Sequence, residues 1–162
     1  MAKRMRKTAV VHCRGGCGSE DGKRLCPDGC IGCGACVKAC RKQALTLSDE
    51  PGAVPSVDRD KCVGCGLCVR ACPRNVIRLE AADNVIQPLC SLQSGGAEAK
   101  KICPNSCISC RICEKNCPAG AMSLAGGAPH IDPELCIGCG MCAVKCPRGA
   151  IGDANGIFGV RC

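Results

Sequence analysis

Cys62-Val63-Gly64-Cys65-Gly66-Leu67-Cys68-Val69-Arg70-Ala71-Cys72-Pro73 sets four cysteines at C-x2-C-x2-C-x3-C and follows the last with proline. The spacing recurs at Cys30, Cys33, Cys36 and Cys40, at Cys107, Cys110, Cys113 and Cys117, and at Cys136, Cys139, Cys142 and Cys146. Quartets one and three are offset by 77 residues, and two and four by 74. The chain is therefore a duplicated unit that itself holds two quartets. The three-residue deletion falls in the loop around Gly126-Gly127.

The repeat extends beyond cysteine. Glycines sit inside the quartets at positions 32, 34, 64, 66, 138 and 140. An apolar pair stands four and five residues after each fourth cysteine: Ala44-Leu45, Val76-Ile77, Ala121-Met122 and Ala150-Ile151. Proline follows Cys72, Cys117 and Cys146, whereas Arg41 follows Cys40. Each third-to-fourth cysteine stretch suits a helical turn. Short strands are predicted at 44–47, 54–57, 76–79 and 84–89, with hairpin connections at 49–52 and 81–84. Leu92 to Ala99 reads as the linker between units.

Composition narrows the chemistry. Cysteine supplies 22 of 162 residues, Phe158 is the one aromatic residue, and Leu, Ile, Val and Phe together supply 31. So small an apolar inventory cannot offset chain entropy by burial alone. An ordinary enzyme with a carbon core is excluded, which leaves a disulfide framework, a zinc array or an iron–sulfur protein. No run reaches the ~18 apolar residues of a membrane span, and the basic start lacks a signal-peptide core. In a reducing compartment, cysteine spacing reads first as metal or redox chemistry.

Zinc sites usually pair two knuckles across a long insert, often with histidine. Here three thiolates follow one another at x2 spacing, which would crowd one zinc but can cap three corners of a cubane. Both histidines, His12 and His130, lie outside the quartets and read as ordinary surface or loop residues. The pattern favours [4Fe–4S] binding.

At this point the chain resembles the two-cluster bacterial ferredoxins, twice over, from about residue 26 to residue 154. The resemblance implies an α+β fold of two tandem two-cluster ferredoxin-like modules. The chain's own repeat divides it into a basic tail at 1–8, a first module at 9–89, a second at 90–160, and the start of a truncated further repeat at 161–162. It also implies four [4Fe–4S] clusters with crossed ligands, because the fourth cysteine of such a run serves the other cluster. Cys30, Cys33, Cys36 and Cys72 would hold one; Cys62, Cys65, Cys68 and Cys40 the second; Cys107, Cys110, Cys113 and Cys146 the third; Cys136, Cys139, Cys142 and Cys117 the fourth. The replacement of proline by Arg41 raises the expectation of a different turn after Cys40.

The formal charge of +8 counts every cysteine as neutral. Sixteen thiolates and four cores of about +2 bring the oxidised protein near neutrality, which removes nucleic acid as an expected partner.

Six cysteines remain: Cys13, Cys17, Cys26, Cys90, Cys103 and Cys162. Cys13 and Cys26 recur as Cys90 and Cys103, so the leading segment belongs to the unit. They can be structural thiols, redox or disulfide pairs, or further metal ligands; the expectation is thiols beside each module that are not obligatory ligands. Val11-x-Cys13 followed by Cys26-Pro27-Asp28-Gly29-Cys30-Ile31-Gly32-Cys33 is similar to the ferredoxin-bearing part of the B subunit of the Rnf electron-transport complex. That likeness implies a non-enzymatic electron carrier, whole or fragment, within an ion-translocating ferredoxin:NAD oxidoreductase. Its partners would be ferredoxin and membrane electron-transport subunits, and its place the cytoplasm or the cytoplasmic membrane face. A relay subunit of a hydrogenase or formate dehydrogenase is the alternative, and a metal-storage or zinc-scaffold protein the alternative from another class.

Overall fold

The computed structural model describes residues 6–16 and 26–155. Cys17, Cys162, the first five residues of the basic tail and the 161–162 repeat start lie outside the described residues.

The first module runs β1 (Lys7–Val11), α1 (Ala35–Ala39), β2 (Leu45–Thr46), β3 (Ser56–Val57), α2 (Leu67–Ala71) and β4 (Ile77–Ala81). The second runs β5 (Ile86–Pro88), α3 (Gly96–Ile102), α4 (Ile112–Lys115), β6 (Met122–Ala125), β7 (Ala128–Ile131), α5 (Met141–Lys145) and β8 (Ile151–Asp153). In each module the first and last strands pair antiparallel, Val11 opposite Ile77 and Pro88 opposite Ile151. The inner strands make a second antiparallel pair, Leu45 opposite Val57 and Met122 opposite Ile131. α1 packs on α2, and α4 on α5.

These four helices have four or five residues, too few to persist alone, and none has a side-chain cap. What holds them is the pair of cysteines at their ends and the apolar pairs beneath. Ala44-Leu45, Val76-Ile77, Ala121-Met122 and Ala150-Ile151 are all buried, each at the start of a strand or one residue before it. One backbone bond repeats at each pair: the carbonyls of Ala44, Val76, Ala121 and Ala150 accept from the N–H groups of Asp58, His12, Asp132 and Leu89 at 2.7–2.8 Å.

The structure corrects several expectations. Residues 81–84 close no hairpin, because β4 pairs with β1 and β5 with β8. β5 therefore stands in the second module's sheet, although the repeat division at 89/90 leaves it with the first. Lys7 and Thr8, assigned to the tail, form the start of β1. The second half of the linker at 92–99 is the start of a helix: Ala97-Glu98-Ala99-Lys100-Lys101 has high helix propensity, an acid in its first turn and bases in its last. Ala99 is fully buried. His12 is no surface residue: it is 4% exposed, and its Nε2 lies 2.7 Å from Glu80 Oε1. The turn after Cys40 does not differ, as the next section shows.

Candidate metal centres

One cavity is lined by Cys30, Cys33, Cys36 and Cys72, and its counterpart in the second module by Cys107, Cys110, Cys113 and Cys146. The walls are otherwise apolar apart from Arg74 in the first, and Arg111 and Arg148 in the second, with no carboxylate or imidazole in either. The other two sets are less separated: Cys142 feels the charges of Cys136, Cys113 and Cys117, and Cys40, partly buried, packs on the cluster that holds Cys30, Cys36, Cys62 and Cys68. Cys65 acts on Cys68, and Cys139 faces solvent. The four quartets share a graded exposure. The second cysteine is exposed in every one and the third is buried in every one.

The backbone explains why the spacing works. Gly34, Gly66 and Gly140 start their helices in the left-handed region at φ 70°, 76° and 72°, and Gly32, Gly64 and Gly138 adopt φ 67–69°. Only glycine reaches that region without strain. The third quartet breaks the rule: Ser109 and Arg111 occupy the same positions at φ 53° and 59°. Ser109 offsets part of the strain by donating its hydroxyl to the Gly127 carbonyl at 2.8 Å.

After each fourth cysteine the chain makes one turn four times. Gln43, Asn75, Gly120 and Gly149 have positive φ, and each donates its N–H to the carbonyl of the fourth cysteine. The next N–H then reaches sulfur, from Ala44 to Cys40, Ala121 to Cys117 and Ala150 to Cys146, at 3.2–3.3 Å. Arg41 leaves this turn unchanged, because proline's missing N–H was not needed in it. β1 contributes a further donor, with Ala9 N–H 3.4 Å from Cys62 Sγ. Amides aimed at sulfur stabilise thiolate and tune a bound cluster.

Without a metal the buried sulfurs resist ionisation. Burial pushes the Cys36 and Cys107 thiols up to about 11 and Cys142 up to about 12, and neighbouring cysteines push the same way. Cys68, Cys90 and Cys113 are raised for the same first cause. A cationic core is what such sites require. Among the described residues, no three His, Cys, Asp or Glu side chains form a single-ion site. Thiol-only cavities with amide donors on sulfur fit an iron–sulfur cluster.

The 4Fe-4S dicluster domain family matches residues 29–76 and 61–121, and the 4Fe-4S binding domain family matches 129–152. The chain belongs to the 4Fe-4S dicluster domain family. It is an electron-transfer iron–sulfur protein of ferredoxin type. The second dicluster match spans quartets two and three, whereas the second module's cavity joins quartets three and four. No curated protein matches this ferredoxin-type chain in sequence. A solved chain similar to it belongs to the formate dehydrogenase–heterodisulfide reductase–formylmethanofuran dehydrogenase complex from Methanospirillum hungatei. The identity is 22% and the TM-score 0.30, covering 76% of this chain and 51% of that one, so the match spans about half of that chain. Among the described residues of this ferredoxin-type protein, no helix is long and apolar enough to cross a membrane.

The leading cysteines were not resolved by spacing alone. Cys13, Cys26, Cys90 and Cys103 do not stay in two separate pairs, one beside each module. All four line one cavity between the modules. The signal in the sequence was the identical Cys-x12-Cys interval in both copies.

Proposed function

We propose that this chain relays single electrons through four [4Fe–4S] clusters with the crossed ligand sets named above, and that it transforms no substrate by itself. The carrying observation is the composition of the two cavities, each lined by three cysteines of one quartet and the fourth of the next. When bound, each cluster supplies a site that gains or loses one electron without proton or group transfer. The protein's own part is to set burial, amide donors and contact with partners. The exposed second cysteines, with Ile31, Val63 and Ile137 exposed two residues before three of them, offer apolar patches where a redox protein can dock close to a ligand. On the likeness of the leading segments, we assign the chain to the Rnf-type B subunits, whole or in part. Ferredoxin and membrane electron-transport subunits would then be its partners on the cytoplasmic side.

The test is anaerobic purification with iron and sulfide counting and electron paramagnetic resonance. At least about 16 iron and 16 sulfide per chain are expected. Cys72→Ala should cost about four iron, from the set whose other ligands are Cys30, Cys33 and Cys36, and spare the second module. Near-zero iron in the unaltered protein, or iron loss from the second module in the variant, would refute the assignment.

A further inference from the structure

We propose that Cys13, Cys26, Cys90 and Cys103 hold a fifth iron–sulfur cluster at the junction of the two modules. The purpose given to it below rests on the electron-relay reading; the ligand set stands on its own geometry.

The four thiols come from four separate points of the chain, two from each leading segment, and line one cavity. Like the two quartet cavities, it is a small, partly open hollow lined by four cysteines. Cys26, Cys90 and Cys103 are buried. Cys13 Sγ accepts the Cys30 N–H at 3.4 Å, and Cys90 Sγ accepts the Cys107 N–H at 3.3 Å. These are the same amide-to-sulfur bonds that the fourth cysteines of the quartets receive. An ideal Cβ on Gly29 would lie 3.2 Å from Cys26 Sγ and 3.7 Å from Cys13 Sγ, so both sulfurs crowd one glycine. His12 also lines the cavity, but its Nε2 is held by Glu80.

The segments that carry the thiols are fastened to each other. Ser91 donates to the Asp28 carbonyl at 2.6 Å, and Gln93 N–H to the Asp28 carboxylate at 3.2 Å. Asn105 donates to the Gly15 carbonyl at 3.2 Å, and Arg14 to the Gly149 carbonyl at 3.3 Å. Each bond crosses from one module to the other. Four thiols around one cavity, with two amides already on sulfur, make a ligand set. A lone tetrahedral ion would need the sulfurs about 3.8 Å apart, and no described group meets a single-ion arrangement.

The position gives the site a purpose. Cys30 belongs to the first proposed cluster and Cys107 to the third, and their own N–H groups touch the fifth site's sulfurs. The fifth site therefore touches both the first and the third proposed sites and joins two separate relays into one. In each transfer the neighbour that donates is oxidised by one electron and the acceptor reduced by one. The first electron comes from a low-potential reductant such as dithionite.

The test uses the whole chain, prepared anaerobically. Native mass spectrometry and iron and sulfide counts should give five clusters, with about 20 iron and 20 sulfide, for the unaltered protein. The double variant Cys13→Ser, Cys90→Ser should keep about 16 of each. Four clusters in the unaltered protein would overturn the fifth site and leave the relay intact. Unchanged iron in the variant would overturn it too, as would loss of one iron or zinc without sulfide. A variant that loses all its iron has failed to fold, and the unaltered protein's native mass then decides. An unaltered protein without clusters would refute the relay itself.

Discussion

Gly64→Ala and Gly138→Ala form a matched pair. Both glycines lie between the first and second cysteines of the closing quartet of a module, at φ 67° and 69°. Forcing alanine into the left-handed region costs about 1–2 kcal/mol at either site, so that cost cancels in the comparison. The surroundings differ. A Cβ at Gly64 would collide with the Lys7 carbonyl oxygen, whereas at Gly138 it meets Val85 Cγ2 at 3.7 Å, ordinary contact. Lys7 opens β1, while the matching strand β5 begins at Ile86 and leaves space over Gly138. β1 must lift by about 1 Å to relieve the clash, at an added cost of about 1–3 kcal/mol. It would carry with it the Ala9 N–H bond to Cys62 Sγ. If β1 must lift before cluster is lost, the added cost corresponds to bleaching roughly five- to 150-fold faster in Gly64→Ala than in Gly138→Ala. The assay is the first-order decay of visible absorbance in anaerobic guanidinium, with the potential of the second cluster as an independent readout. Equal decay rates in the two variants would refute the steric account of β1.

Arg111→Gly should stabilise the loaded protein by about 0.5–1 kcal/mol, since it removes a left-handed non-glycine residue; Ser109→Gly should gain less, because it also loses the bond to Gly127. A shift of the Arg111→Gly denaturation midpoint to lower guanidinium would contradict this. His12→Ala should cost about 1–3 kcal/mol, because it strands a Glu80 carboxylate whose Oε2 is buried without a partner. Adding Glu80→Ala to that variant should cost less than the sum of the single changes, and strict additivity in the double-mutant cycle would sink the pairing. The buried thiols set opposite pH limits on the two states. With folded values raised above 9.0, to about 11 for Cys36 and about 12 for Cys142, they support any cluster-free structure below pH 9, and that support goes as pH rises through 11 to 12. The loaded protein fails in the other direction, as acid protonates the ligands. Circular dichroism of the cluster-free chain and visible absorbance of the loaded one should move oppositely with pH. A cluster-free chain that is structured at pH 8 and keeps that structure at pH 12 would contradict the burial.

The quartets were legible because their information is local. Spacing, the glycines at left-handed positions and the apolar pair after each fourth cysteine all lie within 16 residues. The helical turns between third and fourth cysteines and the short strands beyond them follow from that pattern. Local spacing could not say which strand pairs with which. β4 and β5 are neighbours in sequence, yet β4 finds β1 and β5 finds β8, because those partners bury Val76-Ile77 and Ala150-Ile151. Nor could it place His12, whose burial depends on a glutamate 68 residues away.

The sequence by itself pointed to the cofactor class, since three thiols at x2 spacing would crowd one zinc but can cap three corners of a cubane, and it determined the duplication. The tertiary structure decided the arrangement of the leading cysteines. A 12-residue interval sets only how far Cys13 can lie from Cys26. Which sulfurs share a cavity depends on two segments meeting across a module junction, held by Asp28, Asn105 and Arg14. Each of those contacts joins residues more than sixty positions apart, beyond the reach of any local pattern.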